Sequence, residues 1–217
     1  MMRILALAPH TDDAEFGCGG TLSRCVEEGH RVSCVAFSAA EQAVQAPWPR
    51  DVLRAEIKSA SRILGIMPDD LYVLSYPVRE FWTHRQAILD DMILLRDKIA
   101  PDVVFLPSVN DTHQDHQVIA QEGFRAFKNV SMLGYELPWN NLHFSTNCFV
   151  VLDARHIQKK VEAVQCYASQ ALRTYASDEF VRSLARTRGT QIGAIYSEAF
   201  EVVRLVSQLP LSEAAKK

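Results

Sequence analysis

Cysteine and long apolar runs are both scarce in this sequence. The five cysteines are an odd number and none lies in a CxxC pair, which argues against a disulfide framework and against a cysteine-only zinc site. The longest apolar runs, such as residues 4–8 and 149–152, are too short to cross a bilayer, and residues 3–8 lead into acids rather than into a signal-peptide cleavage site. We therefore expect reduced, mostly buried thiols in a soluble, cytoplasmic protein that does not bind membranes.

An excess of charge of either sign is also lacking. Asp and Glu number 26 against 23 Lys and Arg, for a formal net charge of −3, and the basic residues are scattered. The chain therefore lacks the basic patch that binding to nucleic acid or to an anionic membrane requires. We expect a small-molecule ligand instead.

Repeats, low-complexity segments and long polar linkers are absent as well. At 217 residues, with 48% hydrophobic and 23% charged residues, the chain has the length and composition of one soluble domain that buries its own core. We predict a single domain over residues 1–211, followed by a frayed tail at 212–217. The sequence is also compatible with a homo-oligomer.

Short apolar segments alternate with longer helical patterns along the chain, which is typical of a parallel sheet with crossover helices. The predicted strands are residues 3–8, 31–37, 71–74, 103–106, 132–135, 147–152 and 199–206. The predicted helices are residues 16–28, 50–64, 85–100, 116–127, 154–168 and 178–186. This pattern predicts an α/β fold with a single doubly wound, Rossmann-like, mainly parallel sheet and helices on both faces.

Histidines and acids are concentrated in two short loops. Three of the seven histidines, His10, His113 and His116, fall with several carboxylates in residues 9–15 and 110–116, after the first and fourth predicted strands. In doubly wound sheets these two strands are commonly neighbours, and ligands bind beyond their carboxyl ends. Clustered carboxylates repel one another unless a cation or proton compensates. Imidazole and carboxylate without thiolate suit zinc or iron, and two histidines with one carboxylate leave a position open for water.

Two other functions fit these loops less well. Gly17, Gly19 and Gly20 follow the first strand, but their spacing is GCGG rather than GxGxxG, and acids precede them where a pyrophosphate needs bare amides. An acidic pair after the first strand also suits a receiver domain that holds magnesium. That class requires an Asp at the end of the third strand and a Lys after the fifth, and residues 74–76 and 136–138 supply neither.

The two loops also resemble a known family. Residues 9–15 read PHTDDAE, similar to the PHPDDxE signature, and residues 113–116 read HQDH, similar to the HPDH signature, of the PIG-L/LmbE-like zinc-dependent N-deacetylases. The order of the motifs, their spacing and a late YSEAF segment at 196–200 extend the resemblance over most of the chain. The resemblance implies the same α/β fold and the hydrolysis of an N-acetyl group.

A metal site formed by His10, Asp13 and His116 is implied by the resemblance. Zinc is the implied ion, and Fe(II) or another divalent metal fits the same donors. Thr11 and Gln114 stand where the two motifs have proline. Neither proline binds metal, so the replacements bear on the stiffness of the loops rather than on the ligand set.

Three residues that act beside the metal are implied as well. Asp12 is the general base toward water, His113 stabilises the oxyanion or protonates the leaving amine, and Asp115 orients a neighbouring histidine. A zinc ion lowers the pKa of its bound water from 15.7 to about 7. The implied chemistry therefore operates at neutral pH.

Aromatic and basic residues in the loops after the second, third and fifth strands suggest a wall that binds sugars. The predicted substrate contacts are Arg50, Arg79, Trp82, Arg85 and Trp139. Relatives often carry an aspartate in the loop after strand three, where this sequence has Arg79, which suggests a substrate with an anionic part.

These features together predict a zinc-dependent hydrolase that removes acetyl from the nitrogen of an amino sugar or sugar conjugate, releasing acetate and a free amine. One alternative is a deacylase of a non-sugar amide. The other is a non-hydrolytic α/β domain whose acidic loops hold magnesium.

Overall fold

Seven strands form one sheet in the computed structural model, which describes residues 1–207. The strands are β1 (Arg3–His10), β2 (Arg31–Ser38), β3 (Leu71–Val73), β4 (Val103–Pro107), β5 (Ser131–Tyr135), β6 (Cys148–Leu152) and β7 (Tyr196–Arg204). Their order is β3-β2-β1-β4-β5-β7-β6, and the strands from β3 to β5 are parallel. The predicted domain end at residue 211 and the predicted tail at 212–217 lie outside the described residues.

Helices cover both faces of the sheet. They are α1 (Asp13–Glu27), α2 (Val52–Leu64), α3 (Arg85–Ile99), α4 (Gln114–Ala126), α5 (Ala154–Gln165) and α6 (Asp178–Thr190). One buried cluster joins the sheet to α1, α2, α5 and α6, and a second joins its other face to α3 and α4. The predicted α/β fold, with a mainly parallel sheet and helices on both faces, is confirmed.

The central strand β1 shows why the chain forms this sheet. Its residues 4–8 are all buried, with Ile4 the most exposed of them at 3%. Because side chains alternate along a strand, Ile4, Ala6 and Ala8 pack in one cluster while Leu5 and Leu7 pack in the other. A strand buried on both faces needs a continuous apolar sequence, and residues 4–8 provide it.

The carboxyl-terminal part of the sheet differs from simple sequential order. β7 lies between β5 and β6 and runs antiparallel to both. Its predicted range of 199–206 is shifted, since the strand begins at Tyr196.

Within residues 1–207, none of the helices has the length and apolar character that crossing a membrane requires.

Two helices begin earlier than predicted, and both changes affect the polar loops. α1 begins at Asp13 rather than at residue 16, and α4 begins at Gln114 rather than at residue 116. Asp13, Asp115 and His116 therefore lie in the first turns of helices, whose geometry fixes their side chains more firmly than a free loop would.

Candidate active site

The loops after β1 and β4 lie side by side at the carboxyl edge of the sheet. β1 pairs with β2 on one side and β4 on the other, so the strand order reverses at this point. β1 ends at His10, and α4 begins at Gln114 with His113 as its N-cap. The ends of the two strands and the starts of the two helices thus converge on one crevice, where ligands of open α/β sheets bind.

Three potential ligand atoms form a nearly equilateral triangle in this crevice. His10 Nδ1 and His116 Nε2 each lie 3.3 Å from Asp13 Oδ2, and the two nitrogens lie 3.3 Å from each other. Asp13 and His116 are buried, and His10 is half-buried. The backbone N–H of His10 donates to the same Asp13 oxygen at 2.8 Å, which holds the carboxylate against the end of β1.

A buried carboxylate holds the outer nitrogen of each histidine. Asp115 Oδ2 lies 3.0 Å from His10 Nε2, and Asp111 Oδ2 lies 2.8 Å from His116 Nδ1. Because an ionised carboxylate only accepts hydrogen bonds, each outer nitrogen carries a hydrogen and donates it. In the neutral rings, the inner nitrogens keep their lone pairs toward the triangle, as in metal-binding histidines.

The triangle has the dimensions that a small divalent ion requires. A tetrahedral zinc ion with bonds of about 2.0–2.1 Å separates its ligand atoms by roughly 3.3 Å. His10, Asp13 and His116 provide three such separations. A ring nitrogen of His113 lies beside the triangle, within 4.8 Å of those of His10 and His116. These residues could therefore hold a divalent metal ion.

Acidic side chains surround the imidazoles of His10 and His116, and the charges shift the pKa values of the site. Burial disfavours the charged form of Asp13, but His116 and His10 outweigh it and hold its pKa well below the ordinary range. Burial also opposes protonation of the histidines, yet Asp115 and Asp13 raise the pKa of His10 to about 9. Asp13 and Asp111 raise the pKa of His116 to about 10. A divalent cation can replace the protons that such a site attracts.

Asp12 lines the cavity next to the three residues of the triangle, and its pKa is raised toward neutrality. Burial and the adjacent Asp13 raise its pKa to about 6, against opposing effects of His10 and Arg173. Although Asp12 occupies the N-cap position of α1, its side chain accepts no hydrogen bond from that helix. The half-buried carboxylate therefore remains available to a substrate or water in the crevice.

Glu15 and Tyr167 stabilise the loop that carries Asp12. The Tyr167 hydroxyl donates to the Thr11 carbonyl at 2.6 Å and lies 3.1 Å from Glu15 Oε1. Burial raises the pKa of Glu15 to about 8, so this side chain is largely neutral at pH 7. Thr11, which replaces the proline of the motif, is thus held through its carbonyl rather than by a rigid ring.

His113 is placed as a neutral hydrogen-bond donor. Its Nδ1 accepts from the backbone N–H of Asp115 at 3.2 Å, which leaves the hydrogen of the neutral ring on Nε2. Burial and the nearby His116 and His10 lower its pKa to about 4. A neutral ring with an Nε2–H near the triangle suits stabilisation of an oxyanion better than donation of a full proton.

A cavity of about 570 Å³ opens at the triangle and includes Asp12 and His113 in its lining. Of the five predicted substrate contacts, Arg79 and Trp139 line it. Within the part of the chain that the structure describes, Arg50, Trp82 and Arg85 are not among its lining residues. The structure therefore brings two of the five to the cavity.

Arg85 and Trp82 contact each other outside the cavity. The guanidinium of Arg85 forms an ion pair with the fully buried Glu122 and lies 5.4 Å from the centre of the Trp82 ring. Trp82 is 69% exposed, and Arg50 is exposed just before α2. A substrate role for these three residues stays a prediction.

The backbone of Arg79 connects the loop after β3 to the first turn of α4. Its φ of 68° lies in the left-handed region, which is unfavourable for a residue with a side chain. Its N–H donates to Asp115 Oδ2 at 2.6 Å, and its carbonyl accepts from Gln114 Nε2 at 2.7 Å. Gln114, which replaces the second motif proline, thus fixes this loop to the start of α4.

Two parts of the site were not predicted from the sequence. One is Asp111, which supports His116 and whose only sequence signal was its place in an acidic loop. The other is Tyr175, on which the predicted contact Trp139 stacks, with ring centres 3.7 Å apart and planes within 8°. Phe16 packs edge-on against both rings, and Arg173 lines the same cavity. No local motif marks Tyr175 or Arg173.

Glu198 of the YSEAF segment stabilises α1 through hydrogen bonds with its backbone. α1 is kinked at Cys18, and Glu198 accepts hydrogen bonds from the freed N–H groups of Gly20 and Thr21 at 3.1 and 2.7 Å. Lys160 Nζ lies 2.6 Å from Glu198 Oε1 in the same buried region. The late motif is therefore a support for the helix that carries Asp13.

The glycines of α1 allow close packing rather than phosphate binding. A Cβ atom on Gly17 would lie 2.3 Å from Cδ2 of the buried Tyr135, and one on Gly20 would lie 2.7 Å from Leu152. These contacts explain the GCGG sequence without a dinucleotide.

Comparisons with known proteins agree with this fold. Residues 5–127 match the family model described as PIG-L, GlcNAc-PI de-N-acetylase. The chain is 27% identical over 176 residues to the uncharacterized deacetylase YaiS of Escherichia coli strain K12, covering 76% of this chain and 90% of that protein. The chain therefore belongs to the PIG-L family, and it is a deacetylase, a hydrolase that acts on the amide of acetylated substrates.

Solved structures share the whole architecture. The conserved protein TT1542 of Thermus thermophilus superposes with a TM-score of 0.75 at 28% identity, covering 99% of this chain and 100% of that one. N,N'-diacetylchitobiose deacetylase of Pyrococcus horikoshii superposes with a TM-score of 0.77 at 22% identity, covering 92% of this chain and 82% of that one. At 22% identity, the similarity to the chitobiose deacetylase shows a common fold.

Proposed function

We propose that this protein is a zinc-dependent N-deacetylase that hydrolyses the acetamide group of an amino sugar or sugar conjugate, within a single domain of residues 1–211. The observation that carries the proposal is the triangle of His10 Nδ1, Asp13 Oδ2 and His116 Nε2 with edges of 3.3 Å, next to the half-buried Asp12. Family membership supports the reaction class.

His10, Asp13 and His116 would hold the ion. A bound divalent metal supplies a Lewis acid for the amide carbonyl and makes water a stronger nucleophile near neutral pH. The buried Asp115 and Asp111 orient the two histidines and increase their basicity as ligands. Fe(II) or another divalent ion fits the same donors.

Asp12 would remove the proton from the attacking water. Its pKa of about 6 leaves it mostly ionised at pH 7, yet close enough to neutrality to pass the proton on. Attack at the acetamide carbon places negative charge on the carbonyl oxygen. The Nε2–H of His113 would donate a hydrogen bond to this oxygen, and the protonated Asp12 would then deliver its proton to the leaving nitrogen.

An amino sugar is the substrate class that the cavity favours. At about 570 Å³ it falls within the range of small-molecule sites and exceeds what an acetamide group alone would fill. Trp139 and Tyr175 offer a flat apolar surface, while the neighbouring Asn140 offers an amide group that can bind hydroxyls. The related chitobiose deacetylase is named for a sugar substrate.

Acetate release and metal content test the proposal together. We expect near-stoichiometric zinc in the purified protein and acetate release from at least one N-acetylglucosamine conjugate. His10→Ala and His116→Ala should lose both zinc and activity, whereas Asp12→Asn should keep zinc and lose activity. An enzyme active on simple N-acetyl amides but on no sugar would instead be a deacylase of non-sugar amides. A protein that binds magnesium and releases no acetate would contradict the proposal.

A further inference from the structure

The cavity has a second wall, formed by residues 166–177 between α5 and α6, which we call the 166–177 arm. Three contacts fix this arm in place. Tyr167 binds the Thr11 carbonyl, and Tyr175 stacks on Trp139. The N–H and hydroxyl of Ser169 donate to the buried Glu56 carboxylate at 2.9 and 2.6 Å. The arm is therefore held against the site before any ligand arrives.

Arg173 extends from this arm into the lining of the cavity without an acidic partner. Its Nε donates to Gln170 Oε1 and its Nη1 donates to the Tyr175 hydroxyl, both at 2.6 Å. Both partners are neutral, so they orient the guanidinium without cancelling its charge. Among residues 1–207, Arg173 forms no ion pair, and its hydrogen-bond partners are Gln170 and Tyr175.

Arg79, in the loop after β3, lines the same cavity. Its backbone is fixed to Asp115 and Gln114, and within the described residues its guanidinium also has no carboxylate partner. Besides the acids Asp12 and Asp13 and the histidines of the site, the charged residues of the described chain that line the cavity are these two arginines.

Resting on the proposed deacetylase function, we propose that Arg173 and Arg79 select N-acetylated substrates that carry an oxyanion group, a phosphate or a carboxylate, away from the acetamide. The stacked Trp139 and Tyr175 would contact the sugar ring, and Arg173 would bind the anion in a fixed orientation. An oriented guanidinium binds such oxyanions through paired, charge-assisted hydrogen bonds. An uncharged N-acetyl sugar would leave both guanidiniums unused.

Calorimetric binding tests the selection without relying on turnover. The probes are N-acetylglucosamine, its 1-phosphate and its 6-phosphate, titrated into zinc-loaded Asp12→Asn protein. We expect at least one phosphorylated sugar to bind about tenfold or more tightly than the neutral sugar, in line with a charge-assisted hydrogen bond. Equal affinity for all three sugars would overturn the proposal.

Variants in the same Asp12→Asn background assign the effect to Arg173. Arg173→Gln should remove most of the preference, and Arg173→Lys should keep part of it because the charge remains. Arg79→Gly removes the second guanidinium while relieving its positive φ, and it should reduce the preference as well. Arg62→Gln, an exposed position on α2 outside this cavity, is the matched control and should leave the preference unchanged.

A phosphate could also bind tightly by contacting the metal itself. In that case Arg173→Gln would bind the phosphorylated sugar as tightly as the parent, and this result would overturn the proposal. Failure of the proposed function has a different signature, because it is read from acetate release by the wild-type protein. The binding preference and the acetate assay thus judge the two proposals separately.

Discussion

His116 and Asp111 form a buried pair in which the ring Nδ1 lies 2.8 Å from the carboxylate Oδ2. Both side chains are at most 2% exposed. The other carboxylate oxygen of Asp111 accepts the backbone N–H of His113 at 2.8 Å. One carboxylate therefore fixes the orientation of a proposed metal ligand and the start of the helix that carries it.

Removing this support should weaken metal binding without removing a ligand. Asp111→Asn lowers the basicity of His116 and holds its ring less firmly. Such changes typically cost about 10–100-fold in metal affinity. Competition with a chelator of known zinc affinity measures the effect. Asp115→Asn, the corresponding change behind His10, should behave alike. Unaltered zinc affinity in both variants would show that the two carboxylates serve packing alone.

Metal uptake should release protons at neutral pH. The pKa of His10 is raised to about 9 and that of His116 to about 10, so without a cation both rings are protonated at pH 7. A metal ligand must be a neutral imidazole. Zinc affinity should therefore rise with pH up to these values and fall steadily on acidification. Calorimetry in buffers of different ionisation enthalpy counts the protons, and zinc binding without net proton release would contradict this charge state.

Asp12 should set the acidic limit of activity. Its pKa is raised to about 6, and the base must be ionised to act. The rate constant kcat/KM should therefore be lost as pH falls through this pKa, at or below pH 6, because a cation held by Asp13 would lower the value further. Asp12→Asn should reduce kcat by about 100-fold or more, the usual contribution of a general base. A variant with normal kcat would exclude Asp12 from this role.

Much of this architecture is encoded locally. The uninterrupted apolar residues 4–8 mark a central strand buried on both faces, and the polar loops that follow β1 and β4 mark the crevice where strand order reverses. The position of β7 between β5 and β6 is not encoded in this way. It depends on long-range pairing and on buried contacts such as that between Glu198 and the amides of α1.

The residues of the site also differ in whether the local sequence predicts them. His10, Asp13 and His116 are recognisable because an unusual set of residue types lies next to predicted strand ends. Asp111 was one acid among several, and its contact with His116 depends on where α4 begins. Arg173 reaches the cavity only because Glu56 and Thr11 anchor the 166–177 arm from distant parts of the chain. Side chains brought to a site by tertiary anchors leave no local signal.

Glu198→Gln should destabilise the fold more than a surface substitution would. Glu198 and Lys160 are each about 5% exposed, and the carboxylate also accepts the N–H groups of Gly20 and Thr21. The neutral amide would leave the Lys160 charge buried without a counter-ion, which typically costs about 3–5 kcal/mol. Urea unfolding measures this loss. Combining Glu198→Gln with Lys160→Met removes the stranded charge, so the double variant should be more stable than the single one. If the double variant were the less stable of the two, the loss in Glu198→Gln would come from the kink in α1 and not from the ion pair.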